Sequence, residues 1–195
     1  MNKAIKLFFL SIVAGTAVSC GIARQSATNS ESSEPKVQTT FFGATFGSYR
    51  NSVERKLANV GSHKYANEDL IFVSDVKFAG KQWDFAMLMF VDDRFRSIAF
   101  ASKCKTRKEG NETLQEVYEL LSNKYKLVDA SSDLNKEMDA PTYIYFDSDK
   151  NSVSAFLKVY DELDHPNAWD GLYCNLLYTW GKGTELYQAK TLNEI

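Results

Sequence analysis

The chain is poor in the residues that usually announce chemistry. Its 195 residues include only 2 histidines, 3 cysteines and 3 prolines. The histidines, His63 and His165, fall in segments read as loops and have no second histidine or cysteine at the spacing of a zinc site, so they read as solvated side chains. No G-x-S-x-G is present, which leaves a Ser-His-Asp hydrolase without its usual local signature. No run of about 20 apolar residues occurs, and that excludes an ordinary membrane-spanning helix. Neither sign of charge dominates: 23 Lys and Arg stand against 25 Asp and Glu, a formal charge of −2. With no basic cluster, the electrostatic footprint of a nucleic-acid binder is missing. No cofactor motif and no metal-ligand set is found.

What the first 40 residues contain is an address. Lys3 and Lys6 form a positive start, Leu7 to Val13 an apolar segment, and small residues lead to Ala17-Val18-Ser19-Cys20. Residues 1–19 therefore read as a signal peptide. Its ending resembles the lipobox of Gram-negative lipoproteins, with Ala17 where leucine is commonest. The resemblance implies cleavage before Cys20, acylation of its thiol and a lipid anchor in the membrane; the alternative is an ordinary signal peptide with Cys20 incidental. Gly21 rather than aspartate follows the cysteine, which implies the outer membrane, and the absence of an acidic cluster there favours the periplasmic face over surface display. Residues 20–40 are polar and Ser/Thr-rich and read as a flexible tether. Loss of the leader removes two lysines and no acids, leaving 21 basic against 25 acidic residues.

Residues 41–195 read as one globular α+β domain, with two fused halves, 41–108 and 109–195, as an alternative division. Tyr49, Val53, Leu57 and Val60 recur at helical spacing, with Ser48 or Ser52 as N-cap and Gly61 as C-cap. Three strands follow, at about Leu70–Ala79, Gln82–Val91 and Phe95–Lys103, separated by breaks short enough for hairpins. A second helix is carried by the stripe Leu114, Val117, Tyr118, Leu121 and Tyr125, with Thr113 and Glu116 as a capping box. Three more strands are expected at about Thr142–Asp147, Ser152–Tyr160 and Leu172–Trp180. The expected order is αβββαβββ: two layers, an antiparallel sheet of about six strands and both helices on one face. In the second strand, Trp83, Phe85, Met87 and Met89 alternate with Ala86, Leu88 and Phe90, so both of its faces are apolar. That strand is either covered on both sides or belongs to a face that meets a partner.

The opening FFGATFGSYRNSVERKLANVG, the FAG turn, the SIAF segment and the closing LNEI resemble a family of Gram-negative, gut-anaerobe-type lipoproteins. The resemblance covers most of the mature chain and implies no activity and no catalytic residues. The helix-plus-three-strands order also resembles the tandem architecture of the beta-lactamase inhibitor protein and of small outer-membrane assembly lipoproteins. That likeness is topological and does not transmit function.

Several short patterns have a competing structural reading. Asp147, Asp149 and Asn151 have the spacing that opens a calcium loop, but Ser152 stands in place of its glycine and Lys158 in place of its glutamate, so the segment reads as a hairpin turn. Gly181-Lys182-Gly183-Thr184 lacks the leading glycine and the hydroxyl residue of a phosphate loop. Asn111-Glu112-Thr113 matches a glycosylation sequon but reads as the beginning of the second helix. Cys104 and Cys174 are a candidate disulfide, which would close about 70 residues and stabilise by a few kcal/mol, or else two buried small hydrophobes. The aromatic content, 13%, is the one compositional hint of binding. The candidate surface is Trp83, Phe85, Met87, Trp169 and Tyr173, against which stands the reading that the rings pack in the core. The expected function is a non-enzymatic protein-binding or scaffold module tethered to the envelope, with an envelope protein as partner. A periplasmic glycan-binding module is the alternative, followed by a hydrolase with a triad assembled only in space.

Overall fold

Two-residue turns set the frame of the first half. Phe42-Gly43, Ala79-Gly80 and Asp92-Asp93 all have positive φ, from 50° to 78°. That is the conformation that joins antiparallel strands without splaying them. The first closes a small hairpin, β1 (Thr40–Phe41) and β2 (Ala44–Thr45); the other two link β4 (Leu70–Phe78), β5 (Lys81–Val91) and β6 (Arg94–Cys104) into the expected meander. The computed structural model describes residues 34–62, 64–67, 69–129, 138–160 and 170–181.

Helix α1 (Arg50–Lys56) precedes the meander and α2 (Arg107–Ser122) follows it. Neither begins where its cap was expected. Tyr49 is the N-cap of α1 and makes no side-chain capping bond, so Ser48 and Ser52 do not serve. Gly61 lies beyond the helix at φ +66°, where a Cβ would come within 2.2 Å of the Ser74 carbonyl oxygen. Its role is close approach to β4, not capping. In α2 the capping residues are Thr106, whose Oγ1 accepts from Glu109 N at 3.2 Å, and Glu109, whose Oε2 accepts from Lys105 N at 2.8 Å. The N-cap thus lies seven residues before Thr113, and the helix runs through Gly110. That glycine lets α2 sit close on the sheet, since a Cβ there would lie 3.1 Å from Leu172 and 3.3 Å from Leu157.

The second half repeats the order: β7 (Val128–Asp129), β8 (Tyr143–Phe146), β9 (Ser152–Tyr160) and β10 (Gly171–Thr179). Among the described residues one antiparallel sheet of eight strands results, in the order β3-β4-β5-β6-β10-β9-β8-β7, where β3 is Lys64–Ala66. The expected six strands are its interior, and β3 and β7 are additions of three and two residues at its edges. Such short edges leave little template for pairing with another chain. The order reads the same from either side, with β6 and β10, the last strand of each half, paired at the centre.

Both helices cover one face. Val53 of α1, Leu57 at its C-cap, and Leu114, Val117 and Leu121 of α2 join Val73, Leu88, Ile98, Phe100, Leu157 and Leu176 in one buried cluster. Phe41 of the small hairpin plugs it, with its ring centroid 4.9 to 6.4 Å from those of Phe46, Phe78, Phe95, Phe100 and Tyr178. Trp83 also belongs to this core, fully buried, with Nε1 donating to the Phe78 carbonyl at 3.2 Å. It was expected to share a face with Phe85. Asp75 explains the reversal: its backbone is left-handed at φ 55°, between the pairs Ser74↔Phe85 and Val76↔Trp83, so β4 and β5 turn over there. Opposite it, the Asp84 carboxylate takes the Lys103 N–H at 2.6 Å, just beyond the last β5–β6 ladder pair, Phe85↔Ala101.

The chain is anchored before Phe41. Val37 is buried, and its N–H donates to Asp147 Oδ2 at 3.0 Å. Asp147 Oδ1 accepts from Asp149 N and Asn151 N, and Oδ2 also accepts from Asn151 Nδ2 at 3.2 Å. Both carboxylate oxygens are engaged in closing the β8–β9 turn, which is the hairpin reading of this segment. Asp147→Ala would strand a buried amide and the Asn151 side chain, and should cost about 2–4 kcal/mol in urea unfolding. Asp149→Ala removes only an exposed pair with Lys36 and should stay within about 0.5 kcal/mol.

Candidate functional site

The face opposite the helices is the candidate site. Residues paired across antiparallel strands point to the same side of a sheet, so the register traces its surface. One row crosses all eight strands: Tyr65, Phe72, Met87, Ala99, Leu177, Ser154, Ile144 and Val128. All but Ser154 carry apolar or aromatic groups. Met87, Leu177 and Ile144 are half-buried, and Val128 and Tyr65 at the two ends are exposed. The neighbouring row adds Leu70, Met89 and, at 59% exposure, Phe146. Among the described helices and strands, none lies over this face.

Toward the other end of the strands the same face becomes aromatic and then charged. Phe72, Phe85, Ala101, Tyr160 and Tyr173 form a second buried cluster. Phe85 bridges it, with its ring centroid 4.8 Å from Phe72 and 5.3 Å from Tyr173. Tyr160 Oη donates to Asn175 Oδ1 at 3.0 Å, and Asn175 Nδ2 donates to the Tyr173 carbonyl at 3.2 Å, which satisfies an amide only 1% exposed. Lys158 Nζ lies 4.7 Å from the Tyr160 ring centroid, Lys103 Nζ lies 5.9 Å from that of Tyr173, and Lys103 also pairs with Asp170 at 3.6 Å. Burial, with Asp84 and Asp170 nearby, pushes the Tyr173 hydroxyl above its usual range.

Of the five residues read from sequence as a binding surface, Phe85, Met87 and Tyr173 share this face. Trp83 lies in the core on the opposite side. Trp169 is outside the described residues, as are Cys20, His63, His165 and residues 182–184. Leu177, Ile144 and Val128 were missed because only the register across β10, β9, β8 and β7 brings them into line with Met87. Among the described residues no group of three or more His, Cys, Asp or Glu side chains is arranged to hold a metal ion.

The candidate disulfide is not formed: Cys104 and Cys174 are free and buried. Their strands are neighbours, but Cys104 pairs with Leu172 and Cys174 with Ser102, so the two thiols are diagonal. Diagonal Cα atoms lie about 7–8 Å apart, beyond the reach of a relaxed bridge. They serve as the small hydrophobes of the alternative reading. Burial raises both thiols, Cys174 from 9.0 to about 12, and a thiol held protonated is a poor nucleophile.

No family model, curated protein or solved structure matches the chain. The likeness to envelope lipoproteins therefore stays with the motifs in the sequence.

Two measurements follow from the buried thiols. Iodoacetamide at pH 8 should leave Cys104 and Cys174 unmodified in the folded chain and label both in denaturant. Because the folded pKa lies above the unfolded one, the stability contributed by Cys174 should be complete below pH 9.0 and be lost as pH rises toward about 12. Urea midpoints measured across that range should fall less steeply in Cys174→Ala than in the parent chain.

Proposed function

We propose that this chain is a cell-envelope lipoprotein, acylated at Cys20 and held at the periplasmic side of the outer membrane, whose domain binds another envelope protein through the sheet face opposite the helices. The observation that carries the reading is the row from Tyr65 to Val128. At roughly 4.8 Å between strands it extends about 34 Å, a length suited to a protein interface rather than to a small ligand. Met87 and Leu177 near its middle, with Met89 in the neighbouring row, are adaptable or aliphatic side chains that repack readily against an apolar partner surface. The lipid anchor is supported by the sequence from Lys3 to Gly21, and tethering raises the effective concentration of a weakly binding face toward partners on the same membrane.

A binding role is also supported by the thiols, which burial keeps protonated and away from nucleophilic chemistry. The glycan-binding alternative needs aromatic rings in the open. Tyr173 is 4% exposed and Trp83 fully buried, so these two members of the aromatic set present no ring for a sugar to stack on.

The test places a photocrosslinking residue at 87, 177 or, on the exposed side of α2, 115 in the lipidated chain in intact cells. Positions 87 and 177 should give the same discrete protein adduct and position 115 none. Leu177→Asp should cut the adduct formed from position 87 severalfold without lowering the unfolding midpoint. Equal yields from all three positions would remove the face from the proposal, and equal yields with Cys20→Ala would remove the tether.

A further inference from the structure

The end of the sheet where β6 begins and β10 ends gathers arginines over aromatic rings. Where β6 begins, Met89 pairs with Ser97 but Phe90 with Phe95, so Arg96 is the extra residue of a bulge. Its guanidinium lies 4.5 Å from the ring centroid of Trp180. The Arg94 guanidinium lies 3.3 Å from that of Tyr49, and its Nη1 donates to the Gly47 carbonyl at 3.0 Å. Arg94 is thus fixed, within electrostatic reach of Arg96, and Asp92 is the acid that acts on Arg96 from the turn.

Arg96 differs from its neighbour in lacking an acceptor. It is 8% exposed, and its Nε is buried with no hydrogen-bond partner. No ion pair involves it among the described residues. Burial pulls its pKa below the usual arginine value, Arg94 adds to that, and Asp92 only partly opposes it. A buried guanidinium whose nearby acid, Asp92, offsets its desolvation only in part is destabilising, and an apolar side chain of similar volume at this position would cost less. A planar guanidinium held against an indole, with its Nε edge unused, matches the two oxygens of a phosphate group.

Position adds a second argument. Trp180 is followed by Gly181, whose N–H donates to Asn151 Oδ1 at 3.0 Å, and Asn151 is held by Asp147, which also takes the Val37 N–H. Tyr145 Oη donates to the Pro35 carbonyl at 2.8 Å on the same side. The arginine pair therefore sits at the end of the sheet that also holds Pro35 and Val37.

We propose that Arg96, stacked on Trp180 and flanked by Arg94, is a binding site for a phosphate oxyanion, supplied by a lipid headgroup or by free phosphate. The ligand's oxygens take the unpaired Nε–H and an Nη–H as a fork, and its charge replaces the missing counterion. The site lies apart from the sheet-face row, so its failure would leave the protein-binding proposal standing.

The experiment uses the full chain carrying Cys20→Ala, in neutral detergent, with Arg96→Leu and Arg96→Lys alongside. Inorganic phosphate, titrated against chloride at constant ionic strength, should raise the unfolding midpoint of the parent. It should leave Arg96→Leu unmoved and move Arg96→Lys severalfold less, because lysine keeps the charge without the fork. Without phosphate, Arg96→Leu should melt at or above the parent. In a second arm, greater binding of the parent than of Arg96→Leu to phosphatidylglycerol vesicles identifies the headgroup as source; equal vesicle binding with the phosphate response intact identifies free phosphate. The proposal is overturned if parent and Arg96→Leu respond alike in both arms. A much lower melting point for Arg96→Leu also overturns it, since the guanidinium would then be a structural member.

Discussion

The antiparallel pairing of β6 with β10 is the constraint on which the rest of the molecule depends. Eight residue pairs, from Leu172↔Cys104 to Thr179↔Ser97, join the last strand of each half. Without that seam there would be two meanders, each with one helix and too little apolar surface to stand alone. With it, Ile98 and Phe100 on one side and Leu176 and Cys174 on the other fall beneath both helices, and one core forms where two incomplete ones would have been. The symmetric strand order follows, as do the short outer strands, which are the farthest from the seam.

The seam also decides what the opposite face can be. Because β6 and β10 sit at the centre, their outward residues, Ala99, Ala101, Tyr173, Asn175 and Leu177, are flanked by strands on both sides. Small alanines on β6 leave room for Phe85 from one side and Tyr173 from the other to meet across them. The outcome is a continuous surface spanning both halves. The same strands end at the Arg96 bulge and at Trp180, so the proposed phosphate site and the proposed docking face are built on one rigid support.

Much of this was legible along the chain. The two-faced apolar pattern of Gln82–Val91 foretold a strand with a second face to account for, and the breaks at Gly80-Lys81 and Asp92-Asp93-Arg94 foretold the hairpins. The strands Lys64–Ala66 and Val128–Asp129 were not legible, because two or three exposed residues carry no periodicity and exist only by pairing with a longer neighbour. The start of α2 was obscured by Gly110, which reads as a breaker until its contact with Leu157 and Leu172 is known. Trp83 was assigned to the wrong face because a strict period of two cannot register the left-handed Asp75 on the adjacent strand. Arg96 gave no signal at all: Arg94-Phe95-Arg96 after an acidic turn looks like ordinary solvated charge, and only the bulge and the Trp180 ring make it a buried cation.

The central claim is that the two halves are one cooperative sheet closed by β6 and β10. Native-state hydrogen exchange of the full chain tests it most directly. The account predicts that amides of Phe100 and Ala101 in β6 and of Cys174 and Leu176 in β10 exchange slowest, with a common opening free energy shared by β5 and β9, while β3 and β7 open far more readily. A β8–β10 unit that opens at a distinctly lower free energy than β4–β6, with β6 still protected, would contradict it.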